Sequence, residues 1–321
     1  MQSIEKLRIE IEQEILGLKY PSQPKELYAP IDYILSLGGK RMRPILLLLA
    51  HQLFDDDLKK ALKPSLAIEA FHNFTLIHDD IMDNAPLRRG KLTVHEKWNP
   101  NIAILSGDAL LIQSYQFFSD LEPEIYKEVL EIFSKTAIEV CEGQQFDMDF
   151  ELQAEVSMDS YLKMIEYKTA VLLAASLKIG AIIAKASPEQ ADLLYSFGRD
   201  IGIAFQLKDD LLDAFGDQSK FGKKLGGDII ANKKTCLYLQ TLEKADKKTK
   251  MELVNLYSSN DLDDVTKIER TKEIFEKLNI PDLTSQLIDH YYSKAMKSLS
   301  LVEGDKKELL NFADLLKSRE N

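Results

Sequence analysis

Cysteine is nearly absent from this chain. Its 321 residues include two, Cys141 and Cys236, in no metal-ligand spacing. No cysteine metal centre is spelled out, and the count fits a reduced cytosolic protein with buried thiols. Glycine (14) and proline (10) are scarce, which favours long helices over hairpins. There is no basic stripe and the net charge is −11, which argues against nucleic-acid binding by phosphate neutralisation. There is no long apolar run: the longest, residues 44–50, is far too short to span a bilayer. The N-terminal stretch Met1-Gln2-Ser3-Ile4-Glu5-Lys6 starts a charged amphipathic helix without the apolar centre of a signal peptide. No Ser/Gly/Pro-rich linker and no period-two strand pattern interrupts the chain. Hydrophobic residues make up 45%, a globular composition. Length alone suggests two domains, but the missing linker favours one all-α domain over 1–321, cytoplasmic and without a membrane span.

Helical periodicity is read over 3–18, then to Leu37 before Gly38-Gly39, over 43–54, and from Pro64 to Asp83. Residues 90–97 read as an irregular connector. Further helices are expected over 102–120, 123–141, 160–184, 188–212 and 237–256, with two or three more after Asp264. Asp55-Asp56-Asp57 reads as a solvated loop, because Lys59 and Lys60 follow at once.

What the chain does have is acid at two helix ends. Asp79-Asp80-Ile81-Met82-Asp83 lies just before Pro86, and the same spacing returns at Asp209-Asp210-Leu211-Leu212-Asp213 before Gly216. On a helix, positions i and i+4 lie about 40° apart, so each motif points its first and last carboxylates one way. Anions there face the negative end of the helix dipole. Two such clusters read as a cost accepted for cation binding. An EF-hand fails, because Asn84 stands where that loop needs glycine. Carboxylates without His or Cys partners favour Mg²⁺, which completes its shell with waters and phosphate oxygens.

Cations accompany these motifs. Arg88-Arg89 follow the first. Gly38-Gly39-Lys40-Arg41-Met42-Arg43-Pro44 offers a tight turn, a lysine and two arginines at a helix N-terminus, an oxyanion cradle. Taken singly, either group could equally be surface charge. His72 lies two turns before Asp79 on the same face, with Glu69 one turn earlier. Lys168-Thr169 sits in an apolar helix, where a buried lysine needs a partner. Gln206 precedes Asp209 by three residues and faces the same side. Residues 222–228 and Lys233-Lys234-Thr235 suit either a flap over phosphates or a plain loop. Gly143-Gln144-Gln145-Phe146-Asp147 is expected to end a helix, its role open.

Together, from Gly38 to about Thr235, these residues resemble the trans-isoprenyl diphosphate synthases, the polyprenyl synthetase family. They carry G-G-K-R-x-R-P, E-x-x-H, L-I-H-D-D-x-x-D, R-R-G, G-Q-x-x-D, Y-K-T, F-Q-x-x-D-D-x-x-D and G-K in the family's order. The resemblance implies a helical bundle around a deep central cavity, usually a homodimer. It implies head-to-tail condensation of isopentenyl diphosphate with a dimethylallyl, geranyl or farnesyl diphosphate. On that reading Asp79, Asp83 and Asp209 hold three Mg²⁺ ions on the allylic diphosphate, supported by Asp80, Asp210 and Asp213. Arg88, Lys168, Lys223 and Lys233 bind the same diphosphate. The Gly39 turn, Lys40, Arg43, His72 and Arg89 hold the isopentenyl diphosphate. Thr169, Gln206 and the backbone carbonyl near Lys168 face the developing carbocation. Many members carry a further lysine where this chain has Gly227, so either Lys224 substitutes or the flap grips less tightly.

Product length is expected to be set below the first motif. Thr75 lies one turn down from Asp79, Phe74 beside it is bulky, and Phe71 lies further down. No insertion widens the Asp79–Asp83 spacing, a combination that resembles short-chain synthases, with C20 favoured over C15. Two other readings compete. A class I terpene cyclase shares the first motif but needs no second diphosphate site. A non-catalytic subunit of a heteromeric synthase tends to lose Asp-rich positions, and here both motifs are complete.

Overall fold

Helix starts are written locally. Asn99 Oδ1 accepts from the Ile102 N–H at 2.9 Å ahead of helix Pro100–Gln116. Ser157 Oγ accepts from the Ser160 N–H at 3.1 Å ahead of Met158–Ile165. Asp263 Oδ1 accepts from the Thr266 N–H at 3.0 Å ahead of Asp264–Lys277. Each cap satisfies an amide that the first helical turn leaves unpaired. The computed structural model describes residues 2–216, 225–258 and 262–317. Among these, secondary structure is helical apart from one two-stranded ribbon.

That ribbon, Leu87–Arg88 paired antiparallel with Lys91–Leu92, is too short to leave an alternating pattern. Arg89 (φ 53°) and Gly90 (φ 74°) form its two-residue turn, the left-handed pair that matches strand twist. The connector expected over 90–97 therefore contains half a ribbon and a one-turn helix, Val94–Lys97.

Other boundaries shift for identifiable reasons. The helix read from Pro64 begins at Lys59 and carries Pro64 in its second turn. Pro123–Leu152 continues well past Cys141, so 143–147 lies within a helix rather than ending one. The helix expected over 237–256 breaks into Cys236–Lys244 and Lys247–Ser258. Asp246 makes the break by accepting from the Thr249 N–H at 2.8 Å as a new N-cap. Cys236 is buried as expected, but Cys141 is exposed.

Packing divides the chain into two compact units, neither a continuous stretch of sequence. The first comprises Met1–Ser134, Ala175–Leu194 and Glu303–Leu309. Its helix Met42–Gln52 is apolar all round and buried from Pro44 to His51. That helix packs on Lys59–Met82, which packs on Pro100–Gln116. The second comprises Lys135–Ala174, Tyr195–Val302 and Leu310–Asn321. Its core gathers Phe150, Tyr161, Leu207, Leu237, Leu253 and Phe275. Burial of such side chains drives the packing at about 25 cal/mol per Å² of apolar surface. Among the described residues no helix is long and apolar enough to cross a membrane.

Candidate active site

In the first unit, Asn84 rather than Pro86 ends the Asp-rich helix. Asn84 adopts φ 48°. Its N–H reaches the Ile81 carbonyl at 3.2 Å, and the Ala85 N–H reaches the Asp80 carbonyl at 2.9 Å. This is a Schellman stop, with Pro86 just beyond it. Asp79 is half-buried and Asp83 exposed, while Asp80 between them is buried. Asp80 takes a two-pronged grip from Arg88, with Nε at 2.8 and 3.0 Å and Nη2 at 2.7 Å. The outer carboxylates of the motif are thus more accessible than the middle one, which braces Arg88.

The cradle beside it depends on backbone that side chains disfavour. Gly38 (φ 73°) and Gly39 (φ 144°) lead into Arg41 (φ 48°), which opens helix Met42–Gln52. A Cβ on Gly39 would lie 2.9 Å from the Arg89 guanidinium, so glycine admits Arg89 as well as the turn. Arg89 Nη1 donates to the Gly38 carbonyl. Lys40 is exposed on the same turn. Arg41 points inward to Glu69 at 2.5 Å and to the Leu35 carbonyl at 2.6 Å. Arg43 Nη1 lies 3.2 Å from His72 Nε2. Burial pulls Arg43 down to about 10. Burial, reinforced by Arg43 and Arg89, pulls His72 well below the usual imidazole range, so it is neutral at pH 7. Gly39 therefore lies against Arg89, and Arg43 against His72. Glu69 serves Arg41.

A pH effect follows from His72. As pH drops below about 6.5, the unfolded chain takes up a proton that the folded imidazole refuses. Stability is therefore fully present above that range and falls below it. Buried His51 is shifted the same way and adds to the fall. Melting temperature should drop between about pH 7.5 and about pH 5.5, and less steeply in His72→Gln. An equal drop in that variant would remove His72 from the effect.

In the second unit, helix Met158–Ile165 runs into a π-helical turn, Glu166–Ala170. Such turns re-aim side chains and recur at functional sites. Gly143 makes room for it: a Cβ there would sit 2.2 Å from the Lys168 amide nitrogen. One turn on, Asp147 accepts from Lys168 Nζ at 2.5 Å. That is the partner Lys168 needed, and it gives G-Q-x-x-D its role. Thr169 Oγ1 donates to Gln206 Oε1 at 3.3 Å, and Gln206 Nε2 donates to Asp210 Oδ1 at 3.2 Å. The Tyr161 hydroxyl and the Cys236 N–H donate to Asp210 Oδ2. Burial, aided by Asp228, pushes Asp210 up to about 7.

The second motif thus repeats the first. Asp209 and Asp213 are half-buried and Asp210 between them is buried, braced by Tyr161. Asp213 accepts from the Asp228 N–H at 3.0 Å. A Cβ on Gly227 would lie 3.3 Å from Asp213 Oδ1, which leaves a side chain there little room. Lys168, Thr169, Gln206, Asp210 and Lys233 line one open pocket of about 600 Å³, counting solvent at its mouth. Lys223 and Lys224 lie outside the described residues. Asp147, Tyr161 and Asp228 were missed as site residues; the G-Q-x-x-D spacing was the one available signal.

The polyprenyl synthetase family model matches residues 24–277, and the chain belongs to that family. It is 37% identical to the geranylgeranyl diphosphate synthase of Methanosarcina mazei, over 93% of this chain and 91% of that one. It is 41% identical to a short chain isoprenyl diphosphate synthase of Methanocaldococcus jannaschii, over 81% and 78%. A crystal structure of a geranylgeranyl pyrophosphate synthase, 42% identical, superposes with TM-score 0.95 over 100% of both chains.

Proposed function

We propose that this protein condenses isopentenyl diphosphate with an allylic diphosphate and makes a C20 prenyl diphosphate. The observation that carries this reading is the shared design of the two Asp-rich ends. In both, the middle carboxylate is buried and braced while the outer two are more accessible, Asp83 exposed and Asp79, Asp209 and Asp213 half-buried. Among the described residues no three His, Cys, Asp or Glu side chains close on one metal position. The oxygen-only carboxylates of the two motifs fit Mg²⁺, which takes one or two carboxylates and fills its shell with waters and phosphate oxygens. Asp79, Asp83 and Asp209 are the residues to hold it, as three ions on one diphosphate. Bound magnesium supplies neutralisation of the charge that builds on the leaving diphosphate.

The chain's own residues do the rest. Arg88, Lys168, Lys233 and Lys223 hold the allylic diphosphate, with Arg88 and Lys168 pre-aimed by Asp80 and Asp147. Lys40, Arg43, His72 and Arg89 hold the isopentenyl diphosphate. Thr169 and Gln206 set oxygen dipoles toward the allylic cation. The isopentenyl double bond attacks that cation, and the departing diphosphate takes the proton lost afterwards. The same reading makes 1–321 one functional domain and the protein a cytoplasmic homodimer.

The C20 product is supported by the geranylgeranyl synthases among its relatives and by the wall below Asp79. The Phe74 ring packs edge-on to His78 at 4.7 Å and 5.7 Å from Phe71. Phe71 packs on Phe133 at 5.3 Å. Thr75 Oγ1 donates to the His72 carbonyl at 2.8 Å, which turns its polar end back into the helix. Phe74→Ala should lengthen the product by at least one five-carbon unit, read by chromatography of the dephosphorylated alcohols. An unchanged product spectrum removes Phe74 from the floor. The reading as a whole is tested by incubating the protein with isopentenyl diphosphate, each allylic primer and Mg²⁺, then sizing the products. A terpene cyclase would instead release hydrocarbon from the allylic substrate alone.

A further inference from the structure

Lys234 has no part in the reading above, yet its side chain is tightly placed. Its Nζ donates to the Phe150 carbonyl at 2.6 Å and lies 3.5 Å from the Glu151 carbonyl. These carbonyls belong to the last turn of helix Pro123–Leu152, where no helical N–H remains to meet them. An ammonium there also sits at the negative end of the helix dipole. One turn earlier on this helix, Asp147 holds Lys168.

The segment that carries Lys234 is irregular from Lys233 to Thr235; the Lys233 N–H returns to the Asp228 carbonyl at 2.9 Å, and Thr235 opens the next helix. Its upstream part is tied elsewhere. The Gly226 and Asp228 N–H groups donate to Asp213 at 2.7 and 3.0 Å, and Lys267 Nζ donates to Asn232 Oδ1 at 2.5 Å. Lys234 ties the downstream part to the helix end. Lys233 and Lys234 line the same pocket as Asp147, Phe150, Glu151 and Lys168. We propose that Lys234 is a positioning residue, which clamps its segment onto the carbonyl end of helix Pro123–Leu152 and so fixes Lys233 at a set distance from Lys168 for one diphosphate. The proposal rests on Lys233 binding that diphosphate.

The test is a mutant cycle on the full-length enzyme. Lys234→Met should raise KM for the allylic diphosphate roughly tenfold while kcat stays within about twofold, the signature of lost ground-state binding. Lys234→Arg, which keeps charge and donors, should recover most of that loss. Because Lys234 acts through Lys233, the double variant Lys233→Met/Lys234→Met should bind no worse than Lys233→Met alone. A Lys234→Met enzyme with wild-type KM overturns the proposal. So does a double variant whose KM rise is the product of the two single effects, since that marks Lys234 as an independent contact. If Lys234→Met fails to fold, Lys234→Gln, which keeps N–H donors without the charge, enters the same cycle. A wild-type protein that makes no prenyl product sinks the functional reading instead. The clamp is then read from the affinity of the same variants for inorganic diphosphate with Mg²⁺, with the same expected non-additivity.

Discussion

Replacing Asp79 and Asp83 together with alanine should lower turnover by about a thousandfold or more while the fold persists. Asp83 is exposed and Asp79 half-buried, and neither belongs to the buried core. Both stand at the C-terminal end of helix Lys59–Met82, where anions are disfavoured. Their removal should therefore leave the metal-free protein at least as stable, by roughly 0.3–1 kcal/mol per charge. Activity and stability are expected to move in opposite directions, which a loss of folding cannot imitate. Turnover under saturating substrate and Mg²⁺, with a melting curve on the same sample, checks both. Substantial turnover in the double variant would mean that this motif holds no catalytic metal.

Glu69→Ala should destabilise the protein by about 3–5 kcal/mol, the usual result of removing one partner from a buried ion pair. The Arg41 and Glu69 side chains are 2% and 4% exposed and meet at 2.5 Å. Asn73 Nδ2 adds a bond to Glu69 Oε1 at 3.0 Å. Without Glu69 the Arg41 guanidinium keeps the Leu35 carbonyl and loses its counter-charge inside the core. The double change Arg41→Met/Glu69→Leu should cost less than Glu69→Ala alone, because no lone charge stays buried. Urea unfolding of the three proteins is the check. A Glu69→Ala transition within about 1 kcal/mol of wild type would show that the pair does not brace the cradle turn.

Much of the helical scaffold was legible because apolar period, caps and Pro/Gly punctuation agree locally. The break at Asp246 was legible too, since Asp before Lys-Lys-Thr is an N-cap signal; the apolar period running past it masked it. The buried state of Asp80 and Asp210 follows from helix geometry, because each lies about 100° from the Asp before it. What decides the rest is tertiary. Nothing in the spacing of Arg41 and Arg43 tells which turns inward; the left-handed backbone at Arg41 does. The π-helical turn at Glu166–Ala170 keeps a helical apolar period and so has no separate signature. Asp147 meets Lys168 across 21 positions, and only the closeness that Gly143 allows brings them together. Of the cations expected on the allylic diphosphate, Arg88 and Lys168 turn out to be held by carboxylates, and the motif spacings alone do not say which carboxylate meets which cation.

The central claim is that Asp79, Asp83 and Asp209 grip a single diphosphate through magnesium. The direct measurement is a crystal of the full chain grown with Mn²⁺ and a non-hydrolysable allylic diphosphate analogue, with metals located by anomalous scattering. The account predicts metal peaks within about 2–2.3 Å of carboxylate oxygens from all three aspartates, each peak also touching the one diphosphate. Peaks at one motif only, or a diphosphate bound without contact to metals at the other, would contradict it.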